Sequence, residues 1–155
     1  MKRSQKAGLV LAAALASTFG LVAPAHASTT SNGCTVTPIK PYHNGDFSDS
    51  GIKRIAWEID VTCVSGVEIE IEQHRWEADS GLSADDYLGD SVLNSSFLGG
   101  AGSITRTVTT NLSDTDDFTD MYEEVFQRVR FRVTSGPVTS AWTSWETGPT
   151  RSIHV

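Results

Sequence analysis

Val125-Phe-Gln-Arg-Val-Arg-Phe-Arg-Val133 alternates apolar and cationic residues, and Trp142-Thr-Ser-Trp145 follows about ten residues later. At a period of two, Val129, Phe131 and Val133 share one face of a strand, and Arg128, Arg130 and Arg132 share the other. A guanidinium plane stacks on an indole face more favourably than on other side chains. Trp142 and Trp145 are therefore placed to interleave with the arginine row. Such a ladder specifies a fold and names no ligand.

The compartment is read from the other end of the chain. Met1-Lys-Arg-Ser-Gln-Lys6 is basic, Ala7 to Val22 is mostly apolar, and Pro24 breaks the helix. Ala25-His26-Ala27 then supplies the small residues of a signal-peptidase site. Sixteen mostly apolar residues are too few for a comfortable membrane span, and no stop-transfer sequence follows. The expectation is a cleaved signal peptide over 1–27 and a secreted, extracellular domain over 28–155, without membrane insertion. Cleavage would remove Lys2, Arg3 and Lys6, leaving 9 basic against 19 acidic residues and a net charge of −10, where the whole chain has −7. That balance argues against nucleic acid and anionic membrane as partners, because phosphate binding needs clustered positive charge. A mature chain of 128 residues buries one core and is too short for two. Its only cysteines are Cys34 and Cys63. In an exported protein an isolated pair is expected to form one disulfide.

Along the mature chain, Ser28 to Gly33 reads as a polar, frayed leader, and Cys34 to Ile39 as a short edge strand confined by Pro38 and Pro41. His43 to Gly51 reads as a turn-rich loop. Arg54 to Val64 alternates, with Ile55, Trp57, Ile59, Val61 and Cys63 on one face. After a Ser65-Gly66 turn, Val67, Ile69 and Ile71 continue inward, with Glu68, Glu70 and Glu72 outward. Ala78 to Asp90 is an acidic loop, Ser91 to Leu98 a weak strand, and Ile104 to Leu112 a Thr-rich strand. The arginine strand follows an acidic connector, and Arg151 to Val155 closes the chain. No segment sustains a 3.6-residue period. About seven short strands between Gly, Pro, Asn and Asp turns read as a single all-β, antiparallel sandwich.

The run Arg128-Val-Arg-Phe-Arg132, a turn, and Trp142-Thr-Ser-Trp145 with Pro149 close behind resembles the end of a fibronectin type III module. Within that immunoglobulin-like superfamily it looks most like the Trp–Arg ladder variant with a W-S-x-W-S motif, known from class I cytokine receptors. Thr143 and Glu146 stand where that motif has serines. Val125 and Gln127 occupy the inward positions where a tyrosine usually opens the sixth strand. Trp57 matches the inward tryptophan common in the second strand. The resemblance covers mainly 122–155, with support from 53–72, and it implies the fold without a ligand. It also implies that the third and sixth strands are antiparallel neighbours. Glu68, Glu70 and Glu72 would then face Arg128, Arg130 and Arg132 as a cross-strand charge ladder. Each exposed pair is worth only about 0.2–1 kcal/mol, but a one-residue slip would put acids in the core. Two unrelated solvated faces are the alternative.

Candidate chemistry is sparse. Asp114, Asp116, Asp117 and Asp120, with Glu123 and Glu124 beyond, form the densest acidic cluster. They lack the spacing and glycine of a calcium loop, so a solvated loop with no metal and no cofactor is expected. Asp85, Asp86 and Asp90 are read the same way. His43, His74 and His154 lie in no nucleophile or zinc motif. The acids sit on outward faces or loops, which argues against a glycosidase pair. Trp76 ends the outward row beside His74 and Arg75, and an exposed indole is a natural sugar platform; packing under the adjacent loop is its other reading. The sequence thus describes a monomeric, non-enzymatic binding module for an unidentified protein or glycan. The alternative is a secreted inhibitor or effector that docks a protein partner through the Ala78–Asp90 loop.

Overall fold

The computed structural model describes residues 28–78, 84–112, 122–137 and 139–154. The expected signal peptide (1–27) and the connector with Asp114, Asp116, Asp117 and Asp120 lie outside the described residues, as does 79–83 of the Ala78–Asp90 loop. The described chain is all-β, with ten strands in two antiparallel, sandwich-like sheets. The first sheet contains β1 (Thr29–Ser31), β2 (Cys34–Pro38), β3 (Tyr42–Phe47), β4 (Lys53–Cys63) and β7 (Gly102–Asn111). The second contains β5 (Glu68–Glu77), β6 (Asp86–Ser96), β8 (Tyr122–Val133), β9 (Glu146–Thr147) and β10 (Arg151–His154).

Ten strands replace the expected seven for local reasons. The supposed leader is a hairpin: Asn32 and Gly33 have φ of 50° and 77°, and Ser31 pairs with Cys34. Asn-Gly is the dipeptide that a two-residue hairpin turn favours. The turn-rich loop after Pro41 contains β3, which pairs with β4 around a register shift. β7 runs along one whole edge of β4, so β2 and β3 share the other edge and are divided where Pro38 and Pro41 interrupt the ladder. Gly148-Pro149 divides β9 from β10 in the same way. β6 begins at Asp86, inside the segment expected to be loop.

The inner faces pack as two apolar clusters. One joins Val36, Ile59 and Val61 of the first sheet to Ile69, Ile71, Val129 and Phe131 of the second. The other holds Ile55, Trp57, Leu112, Val125 and Ile153. Between them lies a buried polar layer. Gln73 Nε2 donates to Gln127 Oε1 at 2.6 Å, and Gln127 Nε2 donates to the carbonyls of Ile39 and Glu58 at 2.7 Å each. Ile39 is where β2 stops, so Gln127 satisfies a carbonyl left over by the proline break. A buried group without that partner costs roughly 1–3 kcal/mol. Arg75 continues the layer, donating to Gln73 Oε1, Ser91 Oγ and the Asp90 carbonyl. Gly89 faces it at φ 122°, where a Cβ would lie 3.2 Å from the guanidinium.

Cys34 and Cys63 are directly opposed across β2 and β4 and are bonded. Closing a loop of sequence separation 29 stabilises by about 3–4 kcal/mol on the chain-entropy model. Replacing both cysteines by alanine should therefore lower the melting temperature by roughly 10–20 °C. Calorimetry of that variant checks this, alongside the intact mass of the unreduced protein. Two free thiols would remove both the bond and the stabilisation.

Candidate binding face of the second sheet

The outer face of the second sheet is built by β5, β8 and the chain that follows β8. The β5–β8 register sets Glu70 opposite Arg132, Glu72 opposite Arg130 and His74 opposite Arg128. Arg132 Nη2 lies 2.9 Å from Glu70 Oε2, and Arg130 holds Glu72 Oε2 through Nη2 at 2.6 Å and Nε at 2.7 Å. The Arg132 guanidinium lies 4.6 Å from the Trp142 ring, and the Arg130 guanidinium lies 4.9 Å from Trp142 and 4.6 Å from Trp145. Arg128 stands 5.9 Å from Trp145. Arg130 is thus sandwiched between two indoles while its edge binds a carboxylate. Glu68 lies beyond the arginine row, and its backbone carbonyl accepts from the amide of Thr134.

What holds the indoles in place is a pair of side chains that the sequence reading passed over. Val133 N donates to Ser140 Oγ and Ser140 N to the Val133 carbonyl; Phe131 N donates to Thr143 Oγ1 and Thr143 N to the Phe131 carbonyl. Glu146 then pairs with Val129 in β9. Contacts to β8 recur at 140, 143 and 146, a three-residue period like that of a polyproline II helix. Trp142 and Trp145 fall between these contacts and are turned onto the arginines. The Ser/Thr spacing was the available signal.

The other end of the row is aromatic. His74 lies 4.3 Å from the Trp145 ring and 5.5 Å from the Tyr87 ring, and its Nε2 contacts Glu72 Oε1 at 3.0 Å. Tyr87 lies 5.0 Å from Trp76 at 60°, is 49% exposed, and donates its hydroxyl to Asp90 Oδ1 at 2.9 Å. Partial desolvation, and then the hydrogen bond to and negative charge of Asp90, raise the Tyr87 pKa. Of the three residues expected to form a ligand patch, His74 and Trp76 share this face. Trp76 is half-buried, with Tyr87 against it, and Tyr87 is the exposed ring. Arg75 is not in the patch: strand alternation turns it into the core, where it is 5% exposed.

The acids are not all outward either. Glu77 and Glu123 face inward from β5 and β8 and are buried. Glu123 is 1% exposed, one of its carboxyl oxygens has no hydrogen-bond partner, and desolvation raises its pKa above the ordinary 4.5. The remaining histidines are engaged elsewhere: His43 packs on Phe47, and His154 on Tyr122. No family model matches the chain, and no curated protein aligns with it.

Two outcomes follow from this geometry. Stability should fall most for Trp142→Ala and Trp145→Ala, next for Arg130→Lys, which keeps charge but loses about 0.5–2 kcal/mol of stacking. Glu70→Gln should cost least, about 0.2–1 kcal/mol for a partly exposed pair. Thr143→Val should cost roughly 1–3 kcal/mol by orphaning the Phe131 amide, with Thr143→Ser restoring most of it. Thermal melts read the order, and mild effects at both tryptophans would show that the stack is not structural.

The second outcome concerns pH. A carboxyl group whose folded pKa is raised favours folding while protonated, and that contribution is lost as pH rises through the folded pKa. Glu123→Gln should therefore stabilise the protein at neutral pH and match wild type well below the ordinary carboxyl pKa. Urea unfolding across that range measures the difference, and a pH-independent offset would contradict it.

Proposed function

We propose that this chain is a secreted, monomeric, non-enzymatic binding module with a fibronectin type III-like sandwich, and that its ligand is a glycan bound at the Tyr87–Trp76–His74 corner. If each broken edge is counted once and β1 is left out, the strands number seven. β5 is then third and β8 sixth, and they are antiparallel neighbours in one sheet, as the resemblance implies. The disulfide is consistent with an extracellular location. Among the described residues, no helix is long and apolar enough to cross a membrane.

One observation carries the functional reading. Tyr87 presents a half-exposed ring backed by Trp76 and His74, with its hydroxyl fixed on a carboxylate. A saccharide offers an apolar ring face and a rim of hydroxyls, and this corner offers an aromatic surface beside acceptors. The stack behind it keeps the surface rigid, so little ordering entropy opposes binding.

Tryptophan fluorescence and calorimetric titration with a panel of neutral and acidic oligosaccharides test the reading. At least one sugar should bind, and Tyr87→Ala should weaken it by tenfold or more without changing the melting temperature by more than a few degrees. Capture of a protein partner from culture supernatant, with every sugar inert, would replace the glycan by a protein ligand.

A further inference from the structure

The charge ladder is incomplete at one rung. Arg132 and Arg130 each have a glutamate across the strand pair, whereas Arg128 faces His74. Three guanidinium groups therefore meet two carboxylates on this face. Among the described residues no carboxylate pairs with Arg128, and its Nε is buried without a hydrogen-bond partner. Its surroundings explain why the charge stays uncompensated. The flanking outward residues on β8 are Phe126 and Arg130, the opposed residue on β9 is Thr147, and the indole of Trp145 stands 5.9 Å away. Glu72 is one rung removed, with one carboxyl oxygen on Arg130 and the other on His74. Glu124, the next outward acid along β8, lies two rungs away on the far side of Phe126 and is exposed. A half-buried guanidinium with no internal anion is costly to leave unpaired.

We infer that Arg128 is the anion-recognition residue of the proposed glycan site, and that the ligand is a uronic-acid-bearing saccharide whose carboxylate completes the third rung. The inference rests on the glycan reading above and adds the chemical class of the sugar. The planar fork of arginine matches a carboxylate in two parallel hydrogen bonds. His74 joins the two halves of the site, because its ring touches both Tyr87 and Trp145. Tyr87 lies on the Trp76–Phe126 row and Arg128 on the next, so their backbones are two strand spacings and one rung apart, about 12 Å on the diagonal. One pyranose ring on Tyr87, its exocyclic carboxylate and the long Arg128 side chain span that gap together. The net acidity of the chain does not oppose this, since exposed charges more than about 8–10 Å away are largely screened at physiological salt, and the nearer acids are engaged, Glu72 by Arg130 and His74, and Asp90 by the Tyr87 hydroxyl. Asp90 stands opposite His74 on β6 as Arg128 does on β8, on the same cross-strand row, and its carboxylate accepts a hydrogen bond from the Tyr87 hydroxyl.

The test compares galacturonate and glucuronate oligomers with their methyl esters, which keep each sugar ring and remove the charge. The acid of at least one pair should bind ten times or more tighter than its ester, and rising salt should erode that difference. Arg128→Gln should abolish the acid–ester difference, and Arg128→Lys should leave only a small part of it; melts of both variants show whether the sheet is intact. In nitrogen-edited NMR the Arg128 Nε–H signal should move on adding the acid and stay still on adding the ester. Tyr87→Ala should weaken acid and ester by equal factors. Equal affinity for acid and ester, with Tyr87→Ala still damaging, would overturn the carboxylate inference and leave the glycan reading standing. If all acids, esters and neutral sugars fail to bind, both fall.

Discussion

The β5–β8 register is the constraint on which the rest of the second sheet depends. It sets Glu70 and Glu72 opposite Arg132 and Arg130 on the outside, and in the same alignment sets Ile71 opposite Phe131 and Gln73 opposite Val129 on the inside. A slip of either strand by one residue would turn its row of charges into the core and its apolar row outward. Neither ion pair is strong alone, being partly exposed and screened. Their effect is selective: they make one alignment of two long strands much better than its neighbours, and the indoles lock that choice by stacking on arginines already held in plane by carboxylates.

The interior repeats the idea with hydrogen bonds. Gln73 and Gln127 meet only if the same register holds, and Gln127 reaches the first sheet at Ile39 and Glu58. One polar layer thus ties the second sheet's alignment to the relative position of the two sheets. A partly satisfied layer would cost more than an apolar one, and here the two amide side chains find partners on both sides. The outer stack and the inner layer therefore report on a single geometry from opposite faces.

Much of this was legible in the residues. The alternation in β4, β5 and β8 is long and regular, and Arg, Glu and Trp appear at matched spacings, so the principal strands, the disulfide and the stack followed from period and chemistry. Shorter elements did not follow, because two or three paired residues carry little periodic signal against Gly, Pro and Asn. β1 and β3 are of this kind, although Asn32-Gly33 was a usable hairpin marker. Arg75, Glu77 and Glu123 were misplaced for another reason. Arg75 was read with its neighbours Trp76 and His74, and Glu123 with the acidic cluster, whereas strict alternation turns Arg75, Glu77 and Glu123 inward. Ser140 and Thr143 escaped notice because their period is three, outside the two templates used for strands and helices. In the candidate site, His74 and Trp76 were found from the sequence. Tyr87 lay in a stretch assigned to loop, and Arg128 was counted as one more rung.

The three-residue rhythm of 140–146 also bears on how this molecule avoids its own kind. β8 is bordered along its length by β10, β9 and the Ser140–Thr143 segment, and that segment spends hydroxyls as well as amides on the strand it covers. Beyond the 140–143 stretch a third row of chain cannot continue as a sheet, because an extended newcomer would find side chains where it needs a ladder of free backbone groups. There the second sheet ends in a seam that no further strand can extend, whereas β10 beside it and β1 in the first sheet remain edge strands. The opposite flank of the protein is different: β6 and β7 are long edges closed by no proline or lysine within their spans. Strand addition on misassembly would favour β6 and β7, the long edges on the flank away from the Trp142–Trp145 stack.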